Sequence, residues 1–224
     1  MSDNSIHQES LVSSAASAIR RILLSGKLEM GSKVAEESLA AQLGISRPPL
    51  REALRLIHGE GLLEHTPRRG YNVPMVTQKS IREILDLREA LELHALSVIS
   101  HPDARLNLTG VEAVLSRMEE HAKLGNALEV ISAITNFHTE VINLAGNSRL
   151  STYYRQLLLQ LQLWLATSAS REDSSSNVQE MYEQHVELHT LIVEQRWDEA
   201  KSAFVAHGTL ESLQDSAIRV NAGL

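Results

Sequence analysis

Apolar positions recur at helical spacing along most of the chain. Over residues 10–25, Leu11, Ala15, Ala18, Ile19, Ile22 and Leu23 share one stripe that ends near Gly26. Residues 36–43 predict a short second helix stopped by Gly44. A third starts after Ser46 and carries Leu50, Ala53, Leu54 and Ile57 to Gly59. Two short apolar segments, 62–64 and 71–73, flank a turn containing Pro67 and Gly70, the pattern of a small hairpin. Helix, helix, tight turn, helix, hairpin is the plan of a winged helix-turn-helix.

From about Ser80 the pattern stays helical. Ile81, Ile84, Leu85, Leu87, Leu91 and Ala95 form a stripe closed by Ser-His-Pro at 100–102. Further helices are predicted over 109–124, 127–145, 148–169, 178–195 and 197–217. The breaks fall at Gly125-Asn126, at Gly146-Asn147 and in the polar SREDSSSN of 170–177. The expected fold is mainly α: a winged helix-turn-helix of three helices plus a β-hairpin wing, then an all-α antiparallel helical bundle. The expected division is a flexible N-terminus over 1–9, the winged unit over 10–75, a linker at 76–79, the bundle over 80–218 and a tail over 219–224.

Composition narrows the class. The 224 residues are 43% hydrophobic with few aromatics, so the core must rest on Leu, Ile, Val and Ala. There is no cysteine, which excludes disulfides and Cys-based zinc sites. No apolar run approaches the roughly 20 residues of a membrane span. MSDNSIHQES has no basic stretch followed by an apolar one, so no secretion signal is expected. A cytoplasmic protein without membrane contact is the expectation.

Net charge is −7, yet residues 1–76 carry a net of +1 and residues 77–224 carry −8. The acidity therefore belongs to the second part, and the first is free to meet a polyanion. Its candidate reading element is GISRPPLREALRL, residues 44–56. Prolines in the first turn of a helix cost little, because the first four N–H groups have no intrahelical acceptor. With Ser46 as N-cap, Pro48 and Pro49 fall at the second and third helical positions. Neither can donate to the Ser46 hydroxyl, which is left either to face water or to meet a phosphate or base.

Arg47, Arg51 and Arg55 lie on successive turns. The first residues of a second helix-turn-helix helix reach base edges in the major groove, where arginine matches guanine N7 and O6. Arg47 and Arg51 fall within that reach; Arg55, a turn deeper, suits phosphate or solvent. Arg68, Arg69 and Gly70 sit at the hairpin tip, where a wing approaches backbone or minor groove. A lone arginine would more simply be a solvated charge; five on two elements aimed at one groove point to double-stranded DNA.

The stretch ESLAAQLGISRPPLREALRLIHGEGLLEHTPRRGYNV resembles the winged-helix domain of the GntR family of bacterial transcription regulators. Gly31, Leu39, Ala40, Ser46, Arg47, Pro49, Arg51, Glu52, Ala53, Leu54, Gly61, Leu62, Arg69 and Gly70 fall where that pattern has them. Glu37 departs from it, standing where relatives often carry a basic DNA-contacting residue, and Pro48 replaces the more usual threonine.

The second part resembles the FCD domain, the helical effector-binding domain of FadR-type members. FHTEVINLAGN is similar to its signature, DLREALE over 86–92 to its first helix, and His185, Ala200 and His207 to its later register. The resemblance implies a homodimer on a palindromic operator and a small carboxylate effector, with release of DNA on binding as the commoner behaviour. It also implies a divalent metal, Zn or Ni, held by His138, His185 and His207 together with an Asp four residues before the first histidine. That position here is Ile134. Three neutral imidazoles with water or an effector carboxylate can still hold such an ion, and a metal-free polar pocket is the equal alternative. His189, a turn from His185, is a spare ligand or a surface residue. The expected pocket comprises Arg88, His138, His185 and His207. Arg88 either pairs with an anionic effector or makes an i,i+4 salt bridge to Glu92, with Glu89 nearby.

Two other readings use the same histidines. A three-His metal hydrolase or lyase would need a general base, for which Glu140 is the nearest carboxylate in sequence to His138. There is no HExxH, phosphate loop or nucleophile elbow to support it. A metal sensor would need a tight site, which Ile134 disfavours. A regulator without enzymatic activity is the expectation.

Overall fold

The computed structural model describes residues 3–169 and 178–207. The SREDSSSN break, the predicted end of the last helix and the 219–224 tail lie outside them. The chain divides into two compact units, Met1–Val76 and Thr77–Leu224.

In the first unit α1 spans Asp3–Leu24, α2 Glu36–Leu43 and α3 Arg47–Gly59. Helix α1 begins at Asp3, inside the 1–9 segment. Extending an existing helix costs far less than nucleating one. Ala15, Ala16, Ile19 and Leu23 are the buried positions of α1, whereas Leu11 of the predicted stripe is exposed. They pack on α3, whose Leu50, Ala53, Leu54 and Ile57 are fully buried. Arg20 ties the two helices by a bidentate pair with Glu60, its Nε 2.8 Å from Oε2.

Gly44 ends α2 in the left-handed conformation at φ 64°, and Ile45 N–H closes on Ala40 O at 3.1 Å. The turn is short enough that α3 begins at Arg47. Ser46 is its extended N-cap and makes no side-chain cap bond, as two prolines inside the first turn require.

The wing consists of β1, Glu64–Thr66, and β2, Gly70–Asn72, antiparallel with His65 opposite Tyr71. The predicted apolar segments sit slightly inside this ladder. Leu62, Leu63 and Val73 are buried and anchor the hairpin, while the paired residues project beyond them. The α1–α2 connector, not anticipated as paired structure, adds a third edge: Val34 N–H meets Tyr71 O at 2.9 Å, and Lys33 bridges Asn72.

The second unit contains α4 Gln78–Ile99, α5 Thr109–Lys123, α6 Ala127–Asn143, α7 Ser148–Ala169, α8 Val178–Val193 and α9 Trp197–His207. The start of α4 lies two residues before Ser80. Thr77 Oγ1 accepts from Ser80 N–H at 3.1 Å, and Thr77 N–H donates to Ser80 Oγ at 2.8 Å, a reciprocal cap that places the first turn there. Gln195, in the left-handed region at φ 54°, closes α8 before its predicted end. Helix α6 packs on α4, α5, α7 and α8, and α9 packs on α4 and α8.

The inward face of α4 is Ile81, Ile84, Leu85, Arg88, Glu92, Ala95, Leu96 and Ile99. Leu87, assigned to that stripe from the sequence, is half exposed. Two charged residues occupy the buried register in its place. No helix among the described residues is long and apolar enough to cross a membrane.

Candidate functional site

The outward face of α3 carries Arg47, Arg51 and Arg55, all exposed, opposite its buried apolar face. Each guanidinium has a carboxylate partner. Arg47 Nη2 lies 3.0 Å from Glu37 Oε1, Arg51 Nε lies 3.0 Å from Glu36 Oε2, and Arg55 Nη2 lies 2.9 Å from Glu52 Oε2. Exposed pairs of this kind are worth about 0–1 kcal/mol, so a phosphate or base can replace the acid. One cleft is lined by Lys33, Glu36, Arg51, Arg68, Arg69 and Tyr71, which brings a helix arginine and both wing arginines onto one surface. Ser46 and Pro48 are exposed at the start of α3, and Pro49 is buried.

Pro67 and Arg68 are the central residues of a turn closed by Arg69 N–H on Thr66 O at 3.0 Å. Arg68 holds φ 65° there, and Gly70 holds φ 87°. A left-handed arginine costs roughly 1–2 kcal/mol where glycine or asparagine would be relaxed. The sequence reading did not single out Lys33 or Glu36; neither belongs to the helix or turn that carries the arginine pattern.

In the second unit α6, α8 and α9 bring His138, His185 and His207 together. One nitrogen from each lies within 4.8 Å of the others. His138 stacks on His207 with ring centroids 5.4 Å apart, and His185 meets His207 edge-on at 4.6 Å. His138 and His185 are buried and His207 is half-buried. His189 is not part of the cluster among the described residues.

The surrounding bonds set the rings of His185 and His138. His185 Nδ1 lies 2.6 Å from Met181 O, so it carries the proton and donates, leaving the Nε2 lone pair facing inward. His138 Nδ1 lies 2.8 Å from Glu92 Oε1 and donates to it. Arg88 Nη2 lies 2.8 Å from its Nε2 and 3.2 Å from its Nδ1, so the guanidinium sits against the ring face and not along either nitrogen's in-plane direction. The buried Nε2 atoms of His185 and His207 have no hydrogen-bond partner.

Burial is the main force holding all three rings neutral. It lowers His138, with Arg88 adding to it and Glu92 opposing. It takes His185 down to about 3, assisted by His138, and His207 well below its usual value, assisted by its two histidine neighbours. Neutral imidazoles with inward lone pairs are the form a metal ion takes.

Arg88 is buried with its Nε 3.0 Å from Glu92 Oε1, the i,i+4 salt bridge weighed from the sequence. Tyr154, from α7, donates its hydroxyl to the same oxygen. Burial alone would raise the Glu92 carboxyl. The charge of Arg88, the neighbouring His138 and the bonds from His138 and Tyr154 outweigh it, and the group falls to about 2. Tyr154 was invisible to the sequence reading, and Glu92 appeared only as a partner of Arg88. An arginine and a glutamate four apart within the apolar register of α4 were the available signal.

Ile134 is buried one turn before His138 and offers no ligand. Thr135 returns its hydroxyl to Ile131 O at 3.1 Å and does not replace the missing acid. Two unpartnered Nε2 atoms, that of His185 in a tautomer set by Met181 O, fit a Zn or Ni type of ion. The His138 ring carries the Arg88 guanidinium against its face.

The profile "Bacterial regulatory proteins, gntR family" matches residues 11–73, and the FCD domain profile matches residues 83–210. The HTH-type transcriptional regulator YdhC of Bacillus subtilis (strain 168) is 29% identical over 133 residues, which are 59% of this chain and 59% of that one. The chain thus spans about three-fifths of that relative. The gluconate operon transcriptional repressor of Bacillus licheniformis is 26% identical over 162 residues, 70% of this chain and 66% of the relative. A GntR regulator structure from Rhodococcus sp. RHA1 superposes with a TM-score of 0.79 at 20% identity, covering 92% of this chain and 97% of the other. These relatives are named as regulators and not as enzymes. With more than half of its length matched by the FCD profile behind a GntR winged helix, the chain belongs to the GntR family of bacterial regulatory proteins.

Proposed function

We propose that the chain is a transcription repressor that binds a palindromic operator as a homodimer in the cytoplasm and releases it when a small carboxylate enters the second unit. The observation that carries the reading is the division of α3: a fully buried apolar face, and an outward face of three arginines held only by exchangeable surface acids. Arg47 and Arg51 read base edges, while Arg55, Arg68, Arg69 and the backbone at Gly70 serve phosphate and minor groove, with Ser46 and Pro48 shaping the entry. The two-fold symmetry of a dimer is what a palindrome mirrors.

The pocket for the effector is the cluster of Arg88, His138, His185 and His207. Sugar acids are the first class to test, since one relative is named for a gluconate operon. The unpartnered Nε2 atoms of His185 and His207 favour a bound divalent ion, Zn or Ni, in the same cluster. When bound, it supplies a positive centre for an effector carboxylate. An effector that binds one arrangement of the protein better shifts its population and so its DNA affinity.

The test is a thermal-shift screen of purified protein against carboxylates, with and without Zn or Ni, followed by operator-binding assays on each hit. A stabilising acid that weakens operator binding supports the reading. Acids that stabilise without changing DNA affinity refute effector control. A metal that alone changes operator affinity makes the protein a metal sensor instead.

A further inference from the structure

Every arginine on the outward face of α3 has an acid partner, whereas the small sheet beside it carries cations that have none. Among the described residues no ion pair involves Lys33, Arg68 or Arg69. Lys33 belongs neither to the reading helix nor to the wing turn. We propose that Lys33 is a DNA-phosphate contact, held on the α1–α2 connector as a third strand of the wing and acting together with Arg68 and Arg69. The proposal deepens the DNA-binding reading above and rests on it.

The backbone fixes where Lys33 stands. Gly31 N–H donates to Val73 O at 3.0 Å, Val73 N–H to Ser32 O at 2.9 Å and Val34 N–H to Tyr71 O at 2.9 Å, while Lys33 bridges Asn72. The connector thus runs antiparallel beside β2, the strand that leads out of the turn bearing Arg68 and Arg69. Successive side chains of a strand point to opposite faces. Val34 is buried and Ser32 half-buried, so Lys33 between them faces outward and is exposed. It lines one cleft with Arg51, Arg68 and Arg69. Glu36 and Glu37 line the same cleft, but Arg51 and Arg47 hold them. Four cations against two acids leave the cleft positive within a chain of net charge −7. An ammonium on a flexible stem meets a phosphate oxygen as a point charge and lacks the planar fork that matches guanine. Its contact is therefore indifferent to sequence, and it positions the helix without specifying a base.

The experiment uses the full chain and two unrelated mixed-sequence DNA duplexes, with binding followed by anisotropy across a salt series. Lys33→Gln is expected to weaken both duplexes alike and to flatten the slope of log K against log salt by about 0.9, the worth of one phosphate contact. Lys33→Arg keeps the slope. Lys27→Gln, which removes an equal charge from an exposed position of the same unit outside the cleft, leaves it unchanged. Equal flattening by the Lys27 and Lys33 variants would make the effect one of general charge and overturn the proposal. A second measurement needs no variant: acetylation of the unmodified chain, read by mass spectrometry, should show Lys33 protected by duplex and Lys27 not. Lys33 labelled equally with and without a duplex that the chain binds overturns the contact and leaves the DNA-binding reading standing. An unmodified chain that shows no salt-dependent binding to either duplex sinks both.

Discussion

Glu37, at the second position of α2, holds Arg47, at the first position of α3, through Oε1 and Nη2 at 3.0 Å. It neutralises Arg47, the arginine at the N-terminal end of α3 that is proposed to enter a groove. Both side chains are largely exposed, at 61% for Arg47 and 87% for Glu37, so the pair is a screened surface contact. Glu37→Gln is expected to tighten operator binding about two- to fivefold, the worth of such a pair. It should also steepen the salt dependence by up to about one phosphate contact. Fluorescence anisotropy across a salt series measures both; an unchanged slope would mean that Arg47 does not meet the backbone or bases.

The three arginines of α3 are expected to separate by depth. Arg47→Ala or Arg51→Ala should each lose about 1–3 kcal/mol of discrimination between operator and random DNA. Arg55→Ala should weaken both DNAs alike. Competition assays against unrelated duplexes distinguish the two outcomes, and uniform weakening by all three variants would remove base readout from this helix.

Arg68 sits at φ 65° in the wing turn. Arg68→Gly relieves that conformation and is expected to raise the stability of the first unit by about 0.5–1 kcal/mol net of glycine's added chain entropy. The same change should weaken DNA binding. Opposite signs in a denaturant melt and a binding assay mark strain retained for contact; loss of stability would show that the turn needs the arginine.

Tyr154→Phe removes the hydroxyl that donates to Glu92 and leaves the ring packing in place. A bond to a buried carboxylate is worth about 1.5–3 kcal/mol, and the urea midpoint should fall accordingly with little change in slope. A midpoint matching that of the unmodified chain would mean that Glu92 is satisfied without it.

Acid should destabilise the second unit in two stages. His185 is held down from 6.5 to about 3 by burial, so below 6.5 the unfolded chain takes up a proton that the folded one refuses. Its contribution is complete above pH 6.5 and is lost as the pH falls toward 3. Glu92, held from 4.5 down to about 2 chiefly by Arg88 and His138 against its burial, contributes fully above 4.5 and loses that contribution toward 2. Urea midpoints of chelator-treated protein should therefore begin to drop before any carboxylate titrates. A flat profile between pH 6.5 and 4.5 would contradict neutral buried imidazoles.

The N-terminal unit was legible because its signals are local. Gly44 marks the end of α2, Pro48 and Pro49 fit only a first helical turn, and Leu50, Ala53, Leu54 and Ile57 repeat at the period that buries one face. Those features follow from backbone sterics and 3.6-residue geometry, so the chain by itself determined the helix, its exposed arginines and the hairpin that follows. The inward register of α4 was legible only in part. Periodicity admits any residue on the right face, and it cannot tell that Arg88 and Glu92 are buried while Leu87 faces out. That distinction depends on what packs against α4, namely α6, α7 and α9. The same holds for the histidines. Their spacing along the chain carries no information about convergence, and only the packing of three helices sets their nitrogens within 4.8 Å. Tertiary structure alone decided that Arg88 lies on His138, because a contact 50 residues apart in sequence is made by helix packing and not by any local rule.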